Sequence, residues 1–239
     1  MTPARTPTGI KGLDSILGGG YPAASPTLLK GGPGTGKTVF SLLFAGARVA
    51  AGEAVVFVTC EESPERLLGY LDGFGLAGSA AREAGTLRVL DFRPDLREQV
   101  AGEFDLGAML LRVAHAVEEG GARAVVIDSL QNLMLALGLD APRRELVELF
   151  GWLRERGLTA LVTRSDPLPG EAGALLEEYA TDCAIRLDQH LEGHLMTRYL
   201  RVLKLRGAAH GTNNYPFALT GAGVSLLPVT ETRLEAKGR

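Results

Sequence analysis

Eight consecutive residues, Gly31-Gly32-Pro33-Gly34-Thr35-Gly36-Lys37-Thr38, satisfy the pattern G-x-x-x-x-G-K-[ST]. The chemistry that needs this spacing is the capture of a nucleoside triphosphate. Glycines at 32, 34 and 36 let the backbone curl until its N–H groups, Thr35 among them, converge on one anion. A helix that begins at the end of the loop adds the positive end of its dipole to the same point. Lys37 is placed to reach the β- and γ-phosphates. Thr38 offers a hydroxyl to Mg²⁺, a hard cation that takes oxygen ligands and is usually shared with the nucleotide.

Three carboxylates could complete such a site. Asp128 ends the apolar run Ala124-Val125-Val126-Ile127, where an acid on the rim of a sheet orients Mg²⁺ or one of its waters. Taken alone, an Asp after four apolar residues commonly caps the next turn, so its weight comes from the Gly-rich loop upstream. Glu61 and Glu62 follow another such run, Ala54 to Thr59. One of the two is expected to polarise a water for in-line attack and the other to hold metal or ordered waters. The residues leave open which is which. A purely structural role, in which both favour the start of a helix near Ser63 through its dipole, is the competing reading.

The chain has 31 glycines, so a Gly-rich turn could arise without function, and the flanking elements have to position the loop. Thr27-Leu28-Leu29 before it reads as a buried strand and Val39 to Ala51 after it as a long apolar helix stopped by Gly52, the required strand–loop–helix order. Beyond it, Ala54–Thr59, Thr86–Leu90, Ala124–Ser129 and Leu158–Thr163 read as strands. They alternate with helices beginning at Ser63-Pro64, spanning Met109 to Val117, and running from Pro142 to Arg156. That alternation predicts an α/β fold with a mostly parallel sheet, helices on both faces and ligands at the carboxyl ends of the strands. Ala184–Leu187, Tyr199–Leu205, Phe217–Thr220 and Val224–Leu227 have no helices between them. With a hairpin turn at Gly221-Ala222-Gly223 they are expected to extend the sheet as antiparallel strands.

Length and composition narrow the class further. Residues 1–239 are expected to form one domain, with 1–7 flexible and 229–239 a short tail, because no linker-like stretch divides them. The 46% hydrophobic content without a membrane-length apolar run, and an N-terminus without a secretory pattern, point to the cytoplasm and to no membrane association. Cys60 and Cys183 lie in strand-like apolar segments and read as buried thiols rather than a disulfide. A net charge of −3 argues against a general affinity for nucleic acid. His190 and His194 have a spacing that could suit a metal but no further ligands nearby, so a solvated hairpin is the simpler reading. His115 and Trp152 read as packing residues.

Several segments together carry a family resemblance. Thr8-Gly9-Ile10-Lys11-Gly12-Leu13-Asp14 with Gly18-Gly19-Gly20 precedes the loop; Glu61-Glu62-Ser63-Pro64, Val126-Ile127-Asp128-Ser129 and Leu203-Lys204-Leu205-Arg206-Gly207 follow it. Over nearly its whole length the chain resembles a single KaiC-type domain of the RecA-like phosphate-loop ATPases. The resemblance implies ATP with Mg²⁺ and a homo-oligomeric ring, usually of six subunits, with ATP held between neighbours. It also implies that Lys204 and Arg206 reach across the interface to the γ-phosphate and that His210 follows them in the same nucleotide contact. Cations at alternate positions of one strand share a face, as a clamp on developing phosphate charge requires, although a solvated strand face would look the same.

The chain departs from the clock members of that family in two ways. It has one domain rather than two in tandem, and about ten residues follow Leu227-Pro228. The self-phosphorylated domain of those proteins carries two hydroxyl residues just ahead of a Thr-Asp pair. Here Thr181-Asp182 is preceded by Glu177-Glu178-Tyr179-Ala180, so serine and threonine acceptors are missing there and hydrolysis is expected in place of kinase activity. The leading expectation is a slow ATPase serving as a signalling or regulatory scaffold. A DNA-handling RecA-like ATPase, an autophosphorylating serine/threonine kinase and a non-hydrolysing nucleotide-gated adaptor are the alternatives.

Overall fold

A computed structural model describes residues 4–93, 106–136, 143–166 and 176–227 of the protein. Arg5–Thr6 (β1) pairs antiparallel with Tyr21–Pro22 (β2), and the one-turn helix Leu13–Ile16 (α1) lies between them. The expected flexible stretch 1–7 therefore contains a paired strand, and residues 1–3 and 228–239 lie outside the described residues. Asp14 secures this segment by accepting hydrogen bonds from the Thr8 N–H (2.8 Å) and hydroxyl (2.6 Å). Gly9 sits there at φ 75° against the helix that follows the phosphate loop: a Cβ on it would lie 2.3 Å from Ala47 Cβ, so only glycine fits.

One nine-stranded sheet organises the described chain. Pro26–Gly31 (β3), Val55–Thr59 (β4), Leu87–Asp91 (β5), Ala124–Asp128 (β6), Thr159–Ser165 (β7) and Cys183–Glu192 (β8) run parallel. Leu195–Leu205 (β9), Tyr215–Thr220 (β10) and Gly223–Leu226 (β11) continue the sheet antiparallel, giving the order β11-β10-β9-β8-β3-β7-β6-β4-β5. The turn between β10 and β11 falls at Gly221-Ala222, as the sequence suggested. One assignment differs from the expectation. β8 pairs parallel with β3 on one side and antiparallel with β9 on the other, because the short helix Leu176–Ala180 lies between β7 and β8 in the chain and makes that connection a crossover.

Helices cover both faces of the sheet. Lys37–Ala50 (α2), Pro64–Gly73 (α3) and Gly78–Glu83 (α4) lie on one side. On the other are Leu106–Gly120 (α5), Leu130–Ala136 (α6) and Arg143–Glu155 (α7); Leu176–Ala180 is α8. Alternation along the strands feeds two cores. Val55, Phe57, Val126 and Leu161 join one, and Val56, Val58, Ile127 and Val162 the other. Strands buried on both faces are the reason these runs read as continuously apolar. α2 also fixes the antiparallel extension, since Phe40 in its first turn meets Phe217 of β10 edge-to-face with ring centroids 5.5 Å apart. Met109, Leu110, Val113 and Val117 are the buried stripe of α5. The start of α7 expected at Pro142 lies outside the described residues. α4, α6 and α8 were not legible, being too short to show a period.

Cys60 and Cys183 are free and buried, and burial pushes the Cys183 thiol up to about 12. His190 belongs to β8, its ring 5.7 Å from that of Tyr199. His115 is exposed on α5, 3.7 Å from Glu119, rather than packed in the core. No described helix is long and apolar enough to cross a membrane.

Candidate active site

The Gly-rich loop joins β3 to α2 at the carboxyl end of the parallel strands. Gly34 and Gly36 take left-handed φ values of 74° and 104°, and Gly36 is the N-cap of α2, so the loop delivers its N–H groups to the positive helix end. Gly31 marks a close approach, for a Cβ there would stand 2.4 Å from the Leu187 carbonyl of β8. The Thr35 hydroxyl donates to Gly32 O at 2.8 Å and closes the loop on itself. Lys37 Nζ donates to the carbonyls of Gly31 (2.8 Å) and Gly32 (3.0 Å), which holds the ammonium in the mouth of the nest. Burial lowers its pKa, and the charges of Asp128, Glu61 and Asp166 oppose that shift.

Asp128 ends β6 and Glu61 follows β4, the two strands being paired in register with Thr59 opposite Asp128. Asp128 is 4% exposed and accepts a hydrogen bond from the Thr163 hydroxyl, and the nearby Thr38 hydroxyl also favours its charged form. Burial raises its pKa in spite of those donors and of Lys37. A buried carboxylate held above its ordinary range, with a threonine hydroxyl beside it, is a donor pair that suits a hard divalent cation. Thr38 and Asp128 thus fit Mg²⁺ on chemistry.

The two neighbouring glutamates diverge. Glu61 is close enough to Asp128 and Lys37 to feel both: burial raises its pKa first, Asp128 raises it further and Lys37 opposes. Glu62 instead places its carboxylate 3.1 Å from Arg66 one helical turn on, while its carbonyl accepts the Thr59 hydroxyl at 2.6 Å. Ser63 caps α3 by accepting from the Arg66 N–H at 3.3 Å, with Pro64 at the first helical position, so the start read from Ser63-Pro64 stands.

With a phosphate loop, an acidic strand end and a carboxylate pair all on one rim, comparison with known proteins is decisive. The family model described as "ATPase: KaiC" matches residues 6–231. The chain belongs to the KaiC family of ATPases. It is 37% identical over 233 residues to circadian clock protein KaiC2 of Synechocystis, a match covering 95% of this chain and 40% of the relative. Against the circadian clock oscillator protein KaiC of Synechococcus elongatus it is 36% identical over 236 residues, 97% of this chain and 46% of the relative. The corresponding protein of Parasynechococcus marenigrum matches at 36% over 239 residues, covering 47% of its length. The chain thus spans about half the length of the curated relatives it matches.

Lys204 and Arg206 are nowhere near this rim. Lys204 lies opposite Ala184 of β8, which lies opposite Leu28 of β3, three residues before Gly31 where the loop begins. At about 3.3 Å per residue and 4.8 Å per strand the separation is roughly 14 Å, beyond the reach of a lysine already engaged elsewhere. Lys204 Nζ donates to the carbonyls of Glu178 (2.8 Å), Tyr179 (3.2 Å) and Thr181 (2.6 Å), closing the C-terminal end of α8. Arg206 is the first residue past β9 rather than a strand residue. It still converges with Lys204, donating to Tyr179 O at 3.2 Å and to Asp182 Oδ1 at 3.1 Å. Its side chain is 57% exposed. His210, four residues on, stands 3.1 Å from Gly211 O and lines a cavity of about 850 Å³ with Lys11, Ser15 and Tyr215.

Several contacts at the loop were missed because no motif flags them. Gln189 of β8 donates to Pro33 O at 3.1 Å and Arg198 of β9 to Gly34 O at 3.4 Å, so the antiparallel extension touches the phosphate loop. Asp166, just past β7, donates its N–H to Gly31 O at 3.3 Å and pairs with Arg186 at 3.1 Å. An acid one residue beyond Ser165 at another strand end was the available signal, the same one that identified Asp128.

Proposed function

We propose that the chain binds ATP with Mg²⁺ and hydrolyses it slowly as one protomer of a homo-oligomeric ring, of six subunits, with each triphosphate between two neighbours. Such a ring would serve as a signalling or regulatory scaffold. In this reading the loop from Gly32 to Thr38 binds the phosphates, and Thr38 and Asp128 would hold Mg²⁺, which when bound would supply positive charge to the triphosphate. Glu61 accepts the proton of the attacking water. Its pKa, raised by burial and by Asp128, brings it nearer the range in which a carboxylate works as a base. Glu62 is the weaker candidate for that role and for the metal, since its carboxylate is turned to Arg66.

The observation that carries the ring is the position of Lys204 and Arg206. Lys204 stands level with Leu28 in the middle of β3 and Arg206 beside Asp182 at its start, both set back from their own phosphate loop and engaged on α8, so in this reading the γ-phosphate they serve lies across a heterologous interface, the kind that closes into rings. Hydrolysis is favoured over self-phosphorylation because Glu178 and Tyr179 stand where serine or threonine acceptors would be needed: Glu178 has no hydroxyl and pairs with Lys30, and Tyr179 is longer than the acceptors it replaces.

Mixing complementary variants tests the shared site. Glu61→Gln removes the base from one protomer and Arg206→Ala removes a cation from the other, and each variant alone should be nearly inactive. Rings containing both possess interfaces with sound halves, and phosphate release should reappear on mixing. Verified mixed rings as inactive as their parents, or normal turnover by Arg206→Ala alone, would refute the assignment.

A further inference from the structure

Three adjacent strands carry a row of cations at one level: Lys30 of β3 is in register with Arg164 of β7 and with Arg186 of β8. Lys30 is the residue immediately before the phosphate loop. Helix α8 lies against this row through consecutive acids, Glu178 pairing with Lys30 and Glu177 with Arg164. Glu177 is 2% exposed, and the Lys30 and Glu178 side chains are 12% and 20% exposed, so these pairs are shielded from the solvent that weakens surface salt bridges.

The other end of the same five-residue helix supplies the carbonyls that hold Lys204 and Arg206. Glu178 takes part in both, its carboxylate on Lys30 and its carbonyl 2.8 Å from Lys204 Nζ. A helix this short has little stability of its own. Its acids on the sheet, together with Arg154 donating to Ala180 O at 2.8 Å, therefore fix its last carbonyls in space.

We propose that Glu178 is a positioning residue for catalysis in the neighbouring subunit: anchored on Lys30, it sets the α8 carbonyls from which Lys204 and Arg206 are presented across the interface. The inference rests on the shared-site reading above. Loss of the anchor lets α8 shift, and the cations lose their alignment while keeping their charge. A misplacement of this kind costs rate rather than binding, about tenfold here, since displacements of an ångström are worth up to 10²-fold.

The experiment uses mixed rings in which one subunit type has Glu61→Gln and intact cations, and the other has Arg206→Ala and an intact loop. Only the interfaces joining the second subunit's loop to the first subunit's cations are active. Adding Glu178→Ala to the cation donor should lower kcat of the mixture about tenfold with KM for ATP nearly unchanged. Adding it to the loop donor should cost no more than about twofold. The charge-swapped pair Lys30→Glu with Glu178→Lys in the cation donor should recover most of the loss. A merely structural role would lower activity equally from either subunit, and equal or reversed losses, or no loss at all, overturn the proposal. If the parent mixture shows no activity, the shared-site reading itself has failed and the positioning role fails with it.

Discussion

The two ends of the central sheet hold their charges in opposite ways. At the carboxyl end of the parallel strands, burial raises the pKa values of Asp128 and Glu61 and lowers that of Lys37. Each charged form is thus less comfortable than it would be in water. At the other end Asp182 accepts from Ser25, Arg154 and Arg206, and those partners hold its pKa below the ordinary carboxylate range in spite of partial burial. One end is under-compensated and suited to binding a metal and a polyanion. The other is internally satisfied and presents a fixed surface. Perturbed carboxylates in a cleft mark function; satisfied ones mark architecture.

The contrast between the two ends fails outright if Lys37 is dispensable. Replacing Lys37 by Ala removes the only lysine in the loop and should weaken ATP binding about 100-fold or more, ~2.7 kcal/mol of charge-assisted contact, measured by calorimetry. Unchanged affinity would mean that the nest alone binds the phosphates. A smaller but still large effect is expected from the base: Glu61→Gln should leave ATP affinity intact and cut kcat by about 10²- to 10⁴-fold in a phosphate-release assay. Glu62→Gln should cost far less, and the reverse order would exchange the roles of the two glutamates.

The smallest effect sharpens the contrast between the two ends. Asp128 binds its proton more tightly folded than unfolded, so its contribution to stability falls as pH rises from the ordinary carboxylate range through the raised folded value. Asp128→Asn should therefore raise the Tm of the nucleotide-free protein at neutral pH, and the gain should shrink towards pH 4. Asp182 has the opposite sign, its contribution being present at neutral pH and lost as pH falls below the ordinary carboxylate range. Asp182→Asn should lower the Tm at neutral pH. Thermal melts of the two variants at both pH values check the pair, and shifts of the same sign would remove the distinction.

Local rules made much of this legible. The strand–loop–helix order, the apolar runs of β3, β4, β6 and β7 and the stripe of α5 all follow from period and punctuation, which depend on near neighbours. The same holds for Ser63-Pro64 at the start of α3. The short helices were not readable, because five to seven residues show no period, and missing α8 also hid the crossover that makes β8 parallel. Arg5–Thr6 looked like a flexible terminus because it is only two residues long and its partner, Tyr21–Pro22, lies well along the chain, outside any local pattern.

Residue types and spacing alone put the chemistry on offer: a Gly-rich loop with its lysine and threonine, an acid at a buried strand end, a carboxylate pair, and two cations near the close of the chain. How these are divided follows from contacts made across the fold. Strand register sets Lys204 and Arg206 back from Lys37. Side-chain direction sends Glu62 to Arg66 while Glu61 shares the field of Asp128, and α8 joins Lys30 to the cation pair through Glu178. Residue type and spacing fix what a group can do, but partners, burial and distance come from strands brought together across the whole chain, and those set its charge state and its reach.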